Sequence, residues 1–262
     1  MSVFSDVEKF FNKFNGEKSI IGKSLFGKPL YCFKVEKSKS PVVIVQYAIH
    51  AREYVTSYLA LKQIKEFQNH GKVGTVYFIP LMNPDGVQIC QEGKPLYKAN
   101  GRGVDLNVNF DARWGQGKSN VRKSGDANYI GKYPFSEPET IALRDFTIKV
   151  KPDMTLSYHS KGREIYWYFG QSKRDMERDF YLANVYAFSS GYKIMRTPDS
   201  AGGYKDWCIE KLKIPALTIE VGGDELSHPI KRDKVKQIYL ENRSALVRVV
   251  EALWEKRWNL NL

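Results

Sequence analysis

His50 and Glu53 stand three residues apart, so one turn of backbone can aim an imidazole and a carboxylate at one point. That pair can supply two of the three protein ligands that a catalytic zinc uses, with water in the open position. A second imidazole, His159, ends the run Met154 to His159. A second carboxylate, Glu220, follows Ala216-Leu217-Thr218-Ile219. Two histidines and one glutamate complete a zinc site. The spare carboxylate can take a proton from the zinc-bound water and return it to a leaving amine. Zinc lowers the pKa of that water to about 7, which makes hydroxide available at neutral pH. The set describes metal-assisted hydrolysis of an amide.

Each of these groups sits at the exit of a strand-like run. Val42 to Ala48 is apolar and β-branched, which suits a buried strand, and it stops at Ile49-His50. Open sheets gather the carboxyl ends of parallel strands on one edge and place their sites there. Val73 to Leu81, Ile165 to Phe169 and two short strands between Ile20 and Val35 extend the sheet. Helical spacing of Val3, Phe4, Val7, Phe10, Phe11 and Phe14 predicts an amphipathic helix ending near Asn15. Further helices are expected over 54–69, over 172–189 and from Arg232 to Trp258. Ser136-Glu137-Pro138-Glu139 reads as a capping box with proline in the first turn, opening a helix to about Val150. Asn83-Pro84-Asp85-Gly86 reads as a turn. From there to about Phe135 the chain lacks periodicity, and a loop that long is expected to build a site. Strands alternating with helices predict an α/β sandwich with a mostly parallel central sheet.

No linker or repeat interrupts the 262 residues, which predicts a single domain over 1–262, with the 1–19 helix packed on it. The 42% of apolar residues supports a sizeable core. The net charge of +12 is spread along the chain rather than massed in a tail, which argues against a nucleic-acid arm. An acidic substrate is compatible with it. Cys32, Cys90 and Cys208 are odd in number and far apart, so they read as free thiols in a reducing compartment. The first residues are acidic without a basic n-region, and no apolar run nears the ~18 residues of a membrane span. A cytoplasmic protein without membrane insertion is expected. Its oligomeric state is open, with a monomer favoured.

Ile49-His50-Ala51-Arg52-Glu53 resembles the first zinc motif of the zinc carboxypeptidases, the family of digestive carboxypeptidases A and B. Asn83-Pro84-Asp85-Gly86, the segment Gly103 to Phe110, Ser157-Tyr158-His159-Ser160, the segment Ala201 to Trp207 and Thr218-Ile219-Glu220 resemble later motifs in the same order. Ile21-Gly22-Lys23-Ser24 and Gly27-Lys28-Pro29-Leu30 resemble its opening hairpin. The resemblance runs from about Ile20 to the C-terminus. It implies a mixed eight-stranded twisted sheet with helices on both faces. It also implies one zinc on His50, Glu53 and His159, with Glu220 as general base and acid.

The departures bear on specificity. Val108 stands where the family carries the arginine that clamps a C-terminal carboxylate, although Asn107 remains. The family's mobile tyrosine would fall near Pro198. The resemblance puts Lys98 in the oxyanion-stabilising role, with Arg102 as the alternative. Lys205 falls at the pocket floor, and with Arg163, Arg196 and Lys161 it offers cations to an acidic substrate. This combination is similar to bacterial γ-D-glutamyl-diaminopimelate peptidases, which implies a muropeptide substrate. Two alternatives stand beside it. One is an ordinary carboxypeptidase with a clamp rebuilt from Arg113, Arg163 or Arg196. The other is a non-catalytic protein that binds anions in a basic cleft.

Overall fold

The computed structural model describes residues 2–196 and 199–256. Eight strands form one sheet: β1 (Lys18–Lys23), β2 (Pro29–Glu36), β3 (Val42–Tyr47), β4 (Thr75–Ile79), β5 (Met154–His159), β6 (Glu164–Tyr166), β7 (Lys193–Met195) and β8 (Ala216–Glu220). Their order is β1-β2-β4-β3-β5-β8-β6-β7. The pairs β3–β4, β3–β5, β5–β8 and β6–β7 are parallel, and the other three are antiparallel. The mixed, mostly parallel sheet is the one expected. The β7 strand, only three residues long, was too short for its alternation to be read. The β6 strand is shorter than the Ile165–Phe169 run suggested, because the chain leaves the ladder after Tyr166.

Alternation along the strands sorts the two faces. Val43, Val45, Tyr47, Leu156, Tyr158, Ile165, Leu217 and Ile219 point to one face. There they meet α1 (Val3–Lys13), α2 (Val55–His70), α5 (Lys173–Ser190), α7 (Val235–Asn242) and α8 (Ala245–Lys256). Ile44 and Ala216 point to the other face and meet α4 (Pro138–Val150) and α6 (Tyr204–Trp207). The residues His159, Glu220 and Glu164 alternate onto that second face.

The N-terminal helix packs as its spacing predicts. Ser2 caps it by accepting from the Ser5 amide at 3.2 Å. Phe10, Phe11 and Phe14 meet the Phe33 ring at 5.3, 5.6 and 5.1 Å between centroids. Three other local readings are corrected. Asn83-Pro84-Asp85-Gly86 opens a helix, α3 (Pro84–Gln91), with Asn83 as its cap and Pro84 in the first turn. The C-terminal helix is two helices that meet at Arg243-Ser244. Buried Asn242 sits at that joint, accepting from Tyr186 Oη at 2.6 Å and donating to Tyr192 Oη at 2.8 Å. Trp258 lies outside the described residues. No helix among the described residues is long and apolar enough to cross a membrane.

The capping box at Ser136 is the third correction. Glu137 occupies the cap of α4 and makes no side-chain cap bond. Tertiary partners take both side chains: Ser136 Oγ accepts from Asn109 Nδ2 at 3.0 Å, and Glu139 Oε1 accepts from the Leu25 amide at 2.9 Å. Burial pushes the Glu139 carboxyl up to about 7. A raised carboxyl favours the folded state only while it stays protonated. Its contribution is full below about 4.5, is lost as pH rises towards 7, and is absent above that. The full swing is about 3 kcal/mol. Denaturant titrations should show native stability falling between pH 4.5 and 7 relative to Glu139→Gln. Parallel curves for the two proteins would show that this carboxyl titrates normally.

Candidate active site

The first two ligand residues follow β3 directly. His50 caps a 3₁₀ turn, Ala51–Glu53, which places His50 Nδ1 2.9 Å from Glu53 Oε1. Thr56 fixes this turn at the start of α2, accepting from the Ala48 amide at 3.0 Å and donating to the Glu53 carbonyl at 2.8 Å. His159 ends β5, the parallel neighbour of β3. Its Nδ1 lies 3.0 Å from both His50 Nδ1 and Glu53 Oε2. All three side chains are buried, and their ligand-type atoms lie within 4.8 Å of one another. Two imidazole nitrogens and a carboxylate converging out of water need a cation between them. Nitrogen and oxygen donors in this number suit zinc. The residues therefore fit the metal that the motif implies.

Buried Asp105 sets the His50 ring. Its Oδ1 lies 3.3 Å from His50 Nε2 and its Oδ2 lies 2.8 Å from Lys98 Nζ. Burial opposes its charge, but Lys98 and His50 hold the carboxyl well below the usual carboxylate range. Such a partner fixes the tautomer and direction of a ligating imidazole. Lys98 is kept cationic in turn. Burial would lower its pKa, and Asp105 more than offsets that.

Glu220 ends β8 in register with His159. Burial pushes its carboxyl up to about 8; Glu53 and Glu164 add to this, and His159 and Lys98 oppose it. A carboxyl poised near neutral pH is suited to exchanging a proton in both directions.

The remaining expected residues divide. Lys98 faces the cluster, being in electrostatic range of Glu53. Arg102 is drawn to Glu137 at 3.0 Å. Asn107 Oδ1 accepts from the Tyr204 amide at 3.2 Å, beside the expected pocket segment. Arg163 is shared between Glu241 at 3.1 Å and Glu225 at 3.3 Å. Arg196 stacks on Tyr168 and Trp167, 4.8 and 5.2 Å from their ring centres. Arg113 pairs with Glu210 at 2.9 Å. The position near Pro198 expected for the family tyrosine lies outside the described residues.

Lys205 is expected to present its ammonium to substrate, and the structure gives that ammonium protein partners. It is buried, donating to the Tyr168 carbonyl at 3.0 Å and to Asp206 Oδ1 at 2.5 Å. Removing one member of a buried pair leaves the other charge uncompensated, at a cost of about 3–5 kcal/mol. Lys205→Ala should lower the unfolding free energy by that order in denaturant titrations. A loss below about 1 kcal/mol would show that Asp206 finds water or another donor.

Three groups at the mouth of the cluster were not singled out from sequence. Arg52 Nε, Ser160 Oγ and His228 Nδ1 are buried atoms without a hydrogen-bond partner among the described residues. His228 lies in electrostatic range of Glu53, Arg52, Lys161 and His50. A signal existed for two of them. Arg52 lies between His50 and Glu53 and Ser160 follows His159, so both stand beside the cluster in sequence. No spacing ties His228 to them.

The chain matches the zinc carboxypeptidase family over residues 14–256. It is similar to gamma-D-glutamyl-L-diamino acid endopeptidase 1 of Lysinibacillus sphaericus, at 28% identity over 259 residues. That match covers 84% of this chain and 64% of the relative's length. It is also similar to murein peptide amidase A of Escherichia coli strain K12, at 29% identity over 242 residues, covering 87% and 88% of the two chains. Bovine thrombin-activatable fibrinolysis inhibitor, solved with a tick carboxypeptidase inhibitor, shares the fold with a TM-score of 0.85. It is 23% identical, with 98% of both chains covered.

Proposed function

The chain belongs to the zinc carboxypeptidase family, and on that premise we propose that it hydrolyses γ-D-glutamyl amide bonds in peptidoglycan stem peptides. His50, Glu53 and His159 would hold one zinc, with Asp105 orienting His50. When bound, the metal polarises the scissile carbonyl and makes water more acidic. Glu220 takes the proton of the attacking water and passes it to the departing amine. The Lys98 ammonium, facing the same cluster, meets the negative charge that develops on the carbonyl oxygen. His50, Glu53, His159 and Asp105 are buried and Lys98 and Glu220 half-buried, which limits screening by bulk water.

One observation carries the choice of substrate. Val108 replaces the carboxylate clamp on one side of the site, while Arg52, Ser160 and His228 keep unpartnered polar atoms at the cluster; Lys161, in range of His228, is bonded to the Asp224 carbonyl at 2.9 Å. A γ-glutamyl group carries a free α-carboxylate on the acyl side, separated by three carbons from the scissile carbonyl. An α-linked residue with a neutral side chain has no carboxylate there. These groups are suited to receive it, since buried donors without partners are costly until a ligand pairs them. The names of the two similar enzymes support the same substrate class. C-terminal trimming would need a cationic clamp, and Arg113, Arg163 and Arg196 are engaged with Glu210, with Glu225 and Glu241, and with two rings.

The test is product analysis. Zinc-loaded protein is incubated with defined muropeptides, and the products are weighed by mass spectrometry. Release of the peptide beginning with the diamino acid is expected. Release of a C-terminal amino acid instead would favour the ordinary carboxypeptidase, and an inert but metal-bound protein would favour a binding role.

A further inference from the structure

Strand register places a carboxylate that the mechanism does not use beside the one that it does. Glu220 pairs with His159 on β5 and with Glu164 on β6. Side chains directly opposite each other across a ladder share a face, with Cβ atoms about 4.5–5.5 Å apart in an antiparallel pair. Ligand, base and second carboxylate therefore form one row, which Lys193 of β7 extends outwards.

The next row on the same face is also polar: Gln46, Ser157, Thr218 and Tyr166. Gln46 and Ser157 are fully buried. The side-chain amide of Gln46 and the hydroxyl of Ser157 have no hydrogen-bond partner among the described residues. These groups give the catalytic row a polar floor.

Glu164 is free to bind. Its Oε2 accepts from Tyr166 Oη at 2.5 Å, and Oε1 has no hydrogen bond among the described residues. Arg163, the preceding residue, is taken by Glu225 and Glu241. Exposed Lys193 makes no ion pair with Glu164 among the described residues. Glycine at 162 gives the carboxylate room: a Cβ there would come within 3.1 Å of Glu164 Oε2. Glu164, Glu220 and Asp224 all lie in electrostatic range of the Tyr166 hydroxyl. In a chain of net charge +12, this is a locally acidic spot.

The departing amine must stand beside Glu220 to receive its proton. The side chain of the departing residue can then run over the neighbouring strand, past Glu164. We infer that Glu164 receives a second ammonium group on the leaving residue, so that the enzyme prefers a diamino acid on that side of the bond. The assignment rests on the peptidase reading above and adds to it the residue that selects the leaving group.

Two synthetic substrates test it, γ-D-glutamyl-L-lysine amide and γ-D-glutamyl-L-norleucine amide, the second lacking only the side-chain ammonium. The wild type should favour the lysine substrate in kcat/KM by tenfold or more, mostly through KM. Glu164→Gln should bring that ratio close to one, and Glu164→Asp should restore part of it. Equal wild-type rates would overturn the inference while leaving the peptidase reading intact. Equal losses on both substrates in Glu164→Gln would also overturn it, and would make Glu164 a structural neighbour of Glu220. If that variant does not fold, the wild-type ratio decides. Hydrolysis of neither substrate by zinc-loaded protein would overturn the peptidase reading itself.

Discussion

Replacing Glu220 with glutamine should lower kcat/KM on a γ-glutamyl substrate by at least ~10²–10⁴-fold, the range of a lost proton-transfer group. Bound zinc should be unchanged, because the atoms placed to hold it belong to His50, Glu53 and His159. Glutamine keeps the shape of the side chain and cannot carry a proton between water and amine. The fold should hold as well. Burial outweighs the pull of His159 and Lys98 on the Glu220 charge, so a neutral side chain at this position fits the site. Steady-state kinetics and metal analysis on one preparation test both halves. Near-normal turnover would end the proton-transfer role. Loss of zinc together with activity would make Glu220 part of the metal site.

Replacing His159 with alanine should remove most bound zinc. The residue contributes Nδ1, 3.0 Å from both His50 Nδ1 and Glu53 Oε2, and alanine leaves only two ligands on one turn. Zinc should raise the melting temperature of the wild type, since a ligand that binds only the folded state stabilises it. At 100 times Kd that linkage is worth about 2.7 kcal/mol. His159→Ala should lose most of this zinc response. One tightly held zinc per chain in the variant would overturn the ligand assignment.

The convergence of His50, His159 and Glu220 was legible because each follows or ends an apolar run, with Glu53 one turn beyond His50, and strand exits are where parallel sheets collect their sites. Val42 to Ala48 leads to His50 and Ala216 to Ile219 leads to Glu220. The fate of the cations was not legible. Whether a lysine faces substrate or an acid depends on which acid the fold brings beside it. Asp206 takes Lys205, and Glu225 and Glu241 take Arg163. Arg102 stood as the alternative to Lys98 in sequence, but Glu137 claims the first and Asp105 the second. His228 reaches the cluster through a loop, without any period to reveal it. Asn83-Pro84 shows the limit for local structure. The same pair can start a turn or cap a helix, and tertiary contacts choose: Asn83 Nδ2 donates to the Ile49 and Ala99 carbonyls at 3.1 and 3.0 Å.

The central claim is that this zinc peptidase reads a γ-glutamyl bond through a carboxylate on the acyl side. Two substrates isolate that feature, both with D-glutamate joined to L-lysine amide through its γ-carboxyl, one with a free α-carboxylate and the other with that group converted to the primary amide. Shape and linkage are kept, and only the charge of the α-carboxyl differs. The decisive measurement is the ratio of their kcat/KM values with zinc-loaded enzyme. A preference of tenfold or more for the free carboxylate is expected, reduced when Arg52 or His228 is replaced by alanine. Equal hydrolysis of the two substrates, or faster cleavage of the amidated one, would contradict the account.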